Sequence, residues 1–189
     1  HEGLTLVHNS LVGVNLRDKI RIGASGKIIT AFDIARTMAI GADWCNSARG
    51  FMFALGCLQS QTCHTGRCPT GVTTQDPRRM RALVVTDKSE RVFNFHENTL
   101  KALQELLAAA GLKHPYELGP EHVIRRISTS EVRSLATVQH WLKPGELLTG
   151  VPNQPVYEVF LRRAPADSFA PRNAIPDVCS SKLLRRTTP

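Results

Sequence analysis

Two short β-branched segments with one well-punctuated helix between them constrain this chain more than any other feature. Lys19-Ile20-Arg21-Ile22-Gly23 reads as a strand ending in the tight turn Ala24-Ser25-Gly26-Lys27, and a second strand, Asp43 to Ser47, opens into Ala48-Arg49-Gly50. Between them Thr30 is placed to cap a helix, Asp33 stands three residues later as the acid of a capping box, and Gly41 closes the segment. Phe32, Ile34, Ala35, Met38, Ala39 and Ile40 supply its buried face. Strand, crossover helix and strand within about 30 residues is the size of a parallel βαβ element. Parallel strands require cover on both faces, so the unit predicts an α/β architecture.

The flanking segments are mostly helical in pattern. Leu4 to Asp18 reads as a helix with Leu4, Val7, Leu11, Val12 and Val14 on one broad side, weakened by Gly13. Phe51 to Gly56 is apolar, and Thr70 to Arg81, basic and containing Gly71 and Pro77, reads as a loop. The longest helix signal runs from Ser89 to Ala110, with Val92, Phe93, Phe95, Leu100, Leu103, Leu106 and Leu107 apolar and Gly111 as its stop. Pro120 to Arg126 and Ser130 to Trp141 read as shorter helices, the second capped by Ser130. Prolines and glycines recur from Pro144, and a mobile tail is expected beyond Asp167.

Three cysteines, Cys57, Cys63 and Cys68, follow the second strand with five and four residues between them, and Pro69 comes directly after the last. A disulfide framework spreads its cysteines through a small secreted domain, whereas here three of five are bunched and Cys45 and Cys179 stand apart. Bunched thiols in a reducing compartment point to a soft metal or an iron–sulfur centre. A three-thiolate set suits a cluster of three irons. A zinc site of three cysteines and His64 is the alternative, with poor spacing because His64 adjoins Cys63. Cys45, among apolar and small residues, reads as a packed thiol.

The turns after the two strands carry a second chemistry. A parallel strand running into a small-residue turn and a helix aims backbone N–H groups at one point, which suits a phosphate. Gly26-Lys27 and Ala48-Arg49-Gly50 are two such turns, one helix apart. In (β/α)8 barrels the loops after the seventh and eighth strands are the usual phosphate site.

A net charge of +8 and a pI of about 9.7 raise the question of a nucleic-acid partner. The clusters Arg78-Arg79-Arg81, Arg125-Arg126 and Lys182-Arg185-Arg186 have no interleaved aromatic residues on which bases could stack, so no nucleic-acid partner is expected. No apolar run approaches the roughly 18 to 20 residues of a membrane span, and no secretory signal opens the chain, so a cytoplasmic location and no membrane partner are expected.

The segments Gly23 to Lys27, Asp33 to Arg36, Gly41 to Asp43, Ala48 to Cys57 and Cys63 to Gln75 resemble the FMN-binding glutamate synthase family, in particular its stand-alone synthase-domain proteins. The likeness runs from about residue 4 to about 110 and is most specific from Ala48 to Gln75. It implies the last strands and helices of a (β/α)8 TIM barrel, followed by a mostly helical extension. It further implies that Ser25, Gly26 and Lys27, with Ala48, Arg49 and Gly50, bind the FMN phosphate, and that Cys57, Cys63 and Cys68 hold a [3Fe-4S] cluster. The implied reaction passes electrons from a donor protein or a reduced nucleotide through the cluster to FMN. The reduced flavin then aminates 2-oxoglutarate to glutamate with ammonia, free or derived from glutamine.

The resemblance divides the chain into barrel units over 1–56, a cluster loop over 57–75, a helical extension over 76–143 and an irregular tail over 144–189. A barrel of this class needs about 250 residues and eight strands, against the two read here. The chain, which starts at His1-Glu2-Gly3, is therefore expected to be the C-terminal part of a longer oxidoreductase and inactive without the N-terminal part of the barrel. A non-catalytic iron–sulfur electron-transfer or docking module and a zinc-stabilised structural domain are the rival readings.

Overall fold

A computed structural model describes residues 1–149 and 155–170 of the 189-residue chain. From residue 171 onward the expected tail, with Cys179, lies outside the described residues. The elements in chain order are α1 (Glu2–Gly13), β1 (Gly23–Ser25), α2 (Ala31–Ala39), β2 (Trp44–Asn46), α3 (Ala48–Ala54), α4 (Pro77–Met80), α5 (Val85–Ala109), β3 (Ile124–Arg126), β4 (Val132–Ser134), α6 (Leu135–Val138) and α7 (Pro155–Arg163). They form a mixed α/β fold with two small sheets, β1–β2 parallel and β3–β4 antiparallel.

The β1–α2–β2 unit forms for the reasons its sequence states. The Thr30 hydroxyl accepts from the Asp33 N–H at 3.2 Å, and the Asp33 carboxylate accepts from the Thr30 N–H at 3.0 Å and the Ile29 N–H at 3.2 Å, which completes the capping box. Beyond α2 the chain turns into β2, which pairs Gly23 with Trp44, Ala24 with Cys45 and Ser25 with Asn46. Alternation then sorts the two faces of this sheet. Ala24 and Cys45 are half-buried, whereas Gly23, Ser25, Trp44 and Asn46 share an open face. Burial pushes the Cys45 thiol up to about 11, as expected of a packed cysteine.

Packing is concentrated on α2. Its small residues Ala31 and Ala35 take Leu103 and Leu107 of α5, while Ala39 and Ile40 meet Val123 and Leu135 from the hairpin region. At the entrance to the strands a polar network does the joining. Asp43, 8% exposed, accepts from the Ile22 N–H at 2.6 Å, Arg17 Nη2 at 2.9 Å and Arg21 Nη1 at 3.2 Å. Arg17 also donates to the carbonyls of Ile20 and Gly41 and to His8 Nδ1, so one guanidinium ties α1 to the start of both strands.

Several elements differ from their sequence readings. The β1 ladder begins at Gly23, because the β-branched residues before it have no strand beside them until Ile22 meets Asp43. Helix α1 ends at Gly13 and buries Thr5, Asn9 and Gly13 instead of its aliphatic side, leaving Val7 half-exposed. Gly13 is there because Leu142 and Leu147 occupy the space a Cβ would need. In α2, Phe32 is about half-exposed and Thr37 is buried. Pro77–Met80 forms a short helix within the segment read as a loop, and Asp76 caps it. The segments read as helices over Pro120 to Arg126 and Ser130 to Trp141 contain a 3-10 turn at Pro120–His122, the β3–β4 hairpin and only the short α6. Strand pairing across a Ser-Thr-Ser turn overrides the weak helical spacing of that region.

Candidate functional site

The C-terminal ends of β1 and β2 present their turns side by side. Gly26 has a φ of 121°, open to glycine at low cost, and no atom lies within 4 Å of where its Cβ would be, so the requirement is conformational. After β2, Ala48, Arg49 and Gly50 form the first turn of α3 and not a separate loop. The Ser47 side chain makes no capping bond, because its hydroxyl donates to the Ile28 carbonyl at 2.7 Å. That bond fastens the two turns together. It also leaves the first N–H groups of α3 without a side-chain partner.

Both turns open onto one cavity of about 530 Å³. Ser25, Gly26, Lys27, Ala48 and Arg49 line one part of it, and Cys57 and Cys63 line another. Its charged residues are two cations, Lys27 and Arg49, with no carboxylate, so the donor set suits an anion. Gly50 and Cys68 do not line this cavity. Gly50 is buried where Ser47 Oγ and the Phe95 ring would stand 2.6 and 2.7 Å from a Cβ, so it lets α5 close on α3.

Cys68 is buried, with its Sγ 3.4 Å from the Thr70 hydroxyl. The Thr70 hydroxyl and the N–H groups of Thr73 and Thr70 bring its thiol down to about 6, so it is mostly thiolate at neutral pH. Thiolate is the form that binds metal, and the chemistry of this donor fits a soft metal centre. Cys57 is half-buried, and Cys63 and its neighbour His64 are exposed. Among the described residues, no three His, Cys, Asp or Glu side chains converge around one point, which holds for Cys57, Cys63 and Cys68 as it does for a zinc site that adds His64.

The lining also includes Asn46, Met52, Phe53, Gln59 and Gln61, none of which the sequence reading singled out. Asn46 had one signal, its place at the carboxyl end of a parallel strand, where α/β sheets present their ligand-contacting residues. Gln59, Gln61 and Lys27 share an unusual backbone, with φ of 55°, 59° and 55°. A non-glycine residue there costs about 1–3 kcal/mol, and such strain gathers at functional sites. Asn15 is the other such residue among those described, so three of the four line one cavity.

Residues 1–113, more than half of the chain, match the family model described as the conserved region in glutamate synthase. The chain belongs to the glutamate synthase family. Within this family it is similar to the glutamate synthase large subunit-like protein YerD of Bacillus subtilis (strain 168), at 39% identity over 137 residues, 72% of this chain and 26% of that protein. It is also similar to the ferredoxin-dependent glutamate synthase 2 of Synechocystis, at 32% identity over 133 residues, 70% of this chain and 8% of the relative. The large chain of glutamate synthase [NADPH] from Bacillus subtilis is 31% identical over 111 residues, 59% of this chain and 7% of the relative. The chain thus spans about a quarter of the first of these glutamate synthase relatives and under a tenth of the other two. The stretch matched by the glutamate synthase model contains both turns and all three loop cysteines, and it ends before the β3–β4 hairpin. Among the described residues, no helix is long and apolar enough to cross a membrane.

Proposed function

We propose that this chain is the C-terminal part of a glutamate-synthase-like oxidoreductase that converts 2-oxoglutarate and ammonia to glutamate. In this reading β1–α2–β2–α3 are the last β/α units of a (β/α)8 barrel. The open face carrying Gly23, Ser25, Trp44 and Asn46 then turns toward the strands of the N-terminal part. FMN and a [3Fe-4S] cluster, when bound, supply the electron chemistry that no side chain here can perform.

This chain's own residues hold and orient those groups. The Gly26–Lys27 turn and the first turn of α3 at Ala48, Arg49 and Gly50 offer N–H groups to the FMN phosphate. Lys27 and Arg49 balance its charge, and Ser25 contributes from the end of β1. Cys57, Cys63 and Cys68 are the cluster ligands, with Cys68 already held as thiolate by Thr70 and Thr73. The electron donor is a redox protein or a reduced nucleotide. Ammonia comes free or from glutamine.

One observation carries the reading: the two turns and the cysteines Cys57 and Cys63 line a single cavity. A flavin phosphate and an iron–sulfur centre bound there would share that cavity. The test uses anaerobically purified full-length protein, assayed for flavin, iron and acid-labile sulfide. Flavin together with iron and sulfide is the expected result, and zinc in place of iron overturns the cluster assignment. Oxidation of a reduced donor that depends on 2-oxoglutarate and yields glutamate supports the reaction. Its absence in flavin- and cluster-replete protein leaves an electron-transfer module.

A further inference from the structure

At the entrance to the strands Arg17 is held by a histidine as well as by carbonyls and a carboxylate. Its Nε donates to His8 Nδ1 at 3.1 Å, its Nη1 to the Ile20 carbonyl at 3.0 Å, and its Nη2 to the Gly41 carbonyl at 3.0 Å and to Asp43 at 2.9 Å. Of these four bonds only the one to His8 reaches α1. A ring nitrogen that accepts from a guanidinium carries no proton, so the arrangement holds the imidazole neutral with its proton on Nε2. His8 is half-buried, its ring edge-on to Trp141 at a centroid distance of 6.0 Å. It also packs against Gly41, where its Nδ1 occupies the space a Cβ would need.

The charges around His8 decide what a proton on it would do. Those that share its cavity of about 310 Å³ are Arg17 from the turn after α1, Arg21 from the approach to β1 and Asp43 from the approach to β2, with the Tyr116 phenol from the segment after α5. On α1 itself the neighbours one turn away, Leu4, Thr5, Leu11 and Val12, carry no charge. Asp43 favours an imidazolium, but Arg17, Arg21 and the Ile22 N–H already surround it. Burial first and the Arg17 charge second bring the His8 pKa below its ordinary value, and the Gly41 backbone and Asp43, which act the other way, do not restore it. A proton on Nδ1 would set an N–H against the Arg17 Nε–H and charge against charge, and the Gly41 carbonyl that could accept from it is one that Arg17 Nη2 already holds. We propose that His8 is an acid-operated latch: its neutral ring fastens α1 to Arg17, and so to the entrances of β1 and β2, and its protonation releases the helix.

Because the folded-state pKa of His8 is depressed, the latch contributes in full above about pH 6.5 and is lost as the pH falls from there to the folded value. Asp43, itself held below its ordinary pKa, stays ionised through that range. Amide hydrogen exchange over α1 in the full-length protein, corrected for the intrinsic pH dependence of exchange, is expected to show protection falling at least about threefold between about pH 7.5 and pH 5, with α5 unchanged. His8→Asn, which offers an uncharged acceptor in place of Nδ1, is expected to give α1 the same protection at both pH values. Arg17→Gln is expected to lower α1 protection at pH 7.5 and to flatten the further loss in acid. Protection of α1 that stays level in the unsubstituted protein, or that falls as steeply in His8→Asn, overturns the latch. An equal fall over α5 shows a loss of global stability and overturns it as well.

Discussion

Where α2 crosses α5, Ala31, Ala35, Leu103 and Leu107 bury their side chains against one another, each no more than 7% exposed. In the loop from Cys57 to Gln75 only Cys68, Gly71 and Thr74 are buried. The helix pair is fixed by apolar surface removed from water and needs nothing from outside. The loop is held by single hydrogen bonds, such as Thr74 Oγ1 to the Gly66 carbonyl and Arg79 Nη1 to the Arg67 carbonyl, and it carries strained residues at Gln59 and Gln61. In the proposed reading, metal held by its thiolates would add to the stability of such a segment, since metal-binding free energy is then folding free energy.

That contrast can be broken at either end. The largest loss of stability is expected from Leu107→Ala, about 2–5 kcal/mol in denaturant unfolding, because the cavity it leaves lies between two packed helices. A loss below about 1 kcal/mol would show that the helix pair is not the core.

Next comes Asp43→Asn, expected to cost about 1.5–3 kcal/mol at neutral pH by removing the charge that Arg17, Arg21 and the Ile22 N–H surround. Burial alone would raise the Asp43 pKa, but the Ile22 N–H, Arg21 and Arg17 outweigh it and leave the carboxyl below its ordinary value. A carboxylate with a depressed folded pKa stabilises above its unfolded value and loses that contribution as the pH falls through the folded one. Unfolding followed from pH 7 downward should therefore show a decline below about pH 4 that is shallower in the variant. Identical acid limbs would remove Asp43 from the network.

A smaller effect, about 1 kcal/mol, is expected for Thr30→Ala, which deletes one arm of the capping box at the start of α2. Cys63→Ser should be the smallest for the helix pair. In metal-free protein it is expected to shift α2–α5 unfolding by less than about 0.5 kcal/mol, since Cys63 is exposed, while iron content of the anaerobic full-length protein falls to background. Unchanged iron would refute the ligand assignment, and a large drop in helix-pair stability would show that loop and core are one unit.

The readable parts of the sequence were those whose causes are local. Thr30 and Asp33 announce α2 because both arms of a capping box lie within one helical turn. Gly111, at a φ of 75°, stops α5 for an equally local reason, although the helix begins at Val85, one turn earlier than its apolar pattern indicates. The hairpin was not readable. Ile124-Arg125-Arg126 and Val132-Arg133-Ser134 are short and mixed, and their strand character comes from each other and from the contact of Val123 and Leu135 with Ala39 and Ile40. Arg17 was equally silent, because its partners His8, Ile20, Gly41 and Asp43 meet only once α1 and the strands are in place.

The candidate site divides in the same way. Spacing and residue type alone mark Cys57, Cys63, Cys68 and the two small-residue turns, because thiolate chemistry and tight-turn geometry are properties of a few adjacent residues. Only the tertiary structure brings Cys57 and Cys63 into one cavity with Lys27 and Arg49, buries Cys68 among threonine donors and turns Gly50 to the packing of α5. It does so because β1 and β2 lie parallel, which puts the ends of two strands that are a helix apart in sequence next to each other in space.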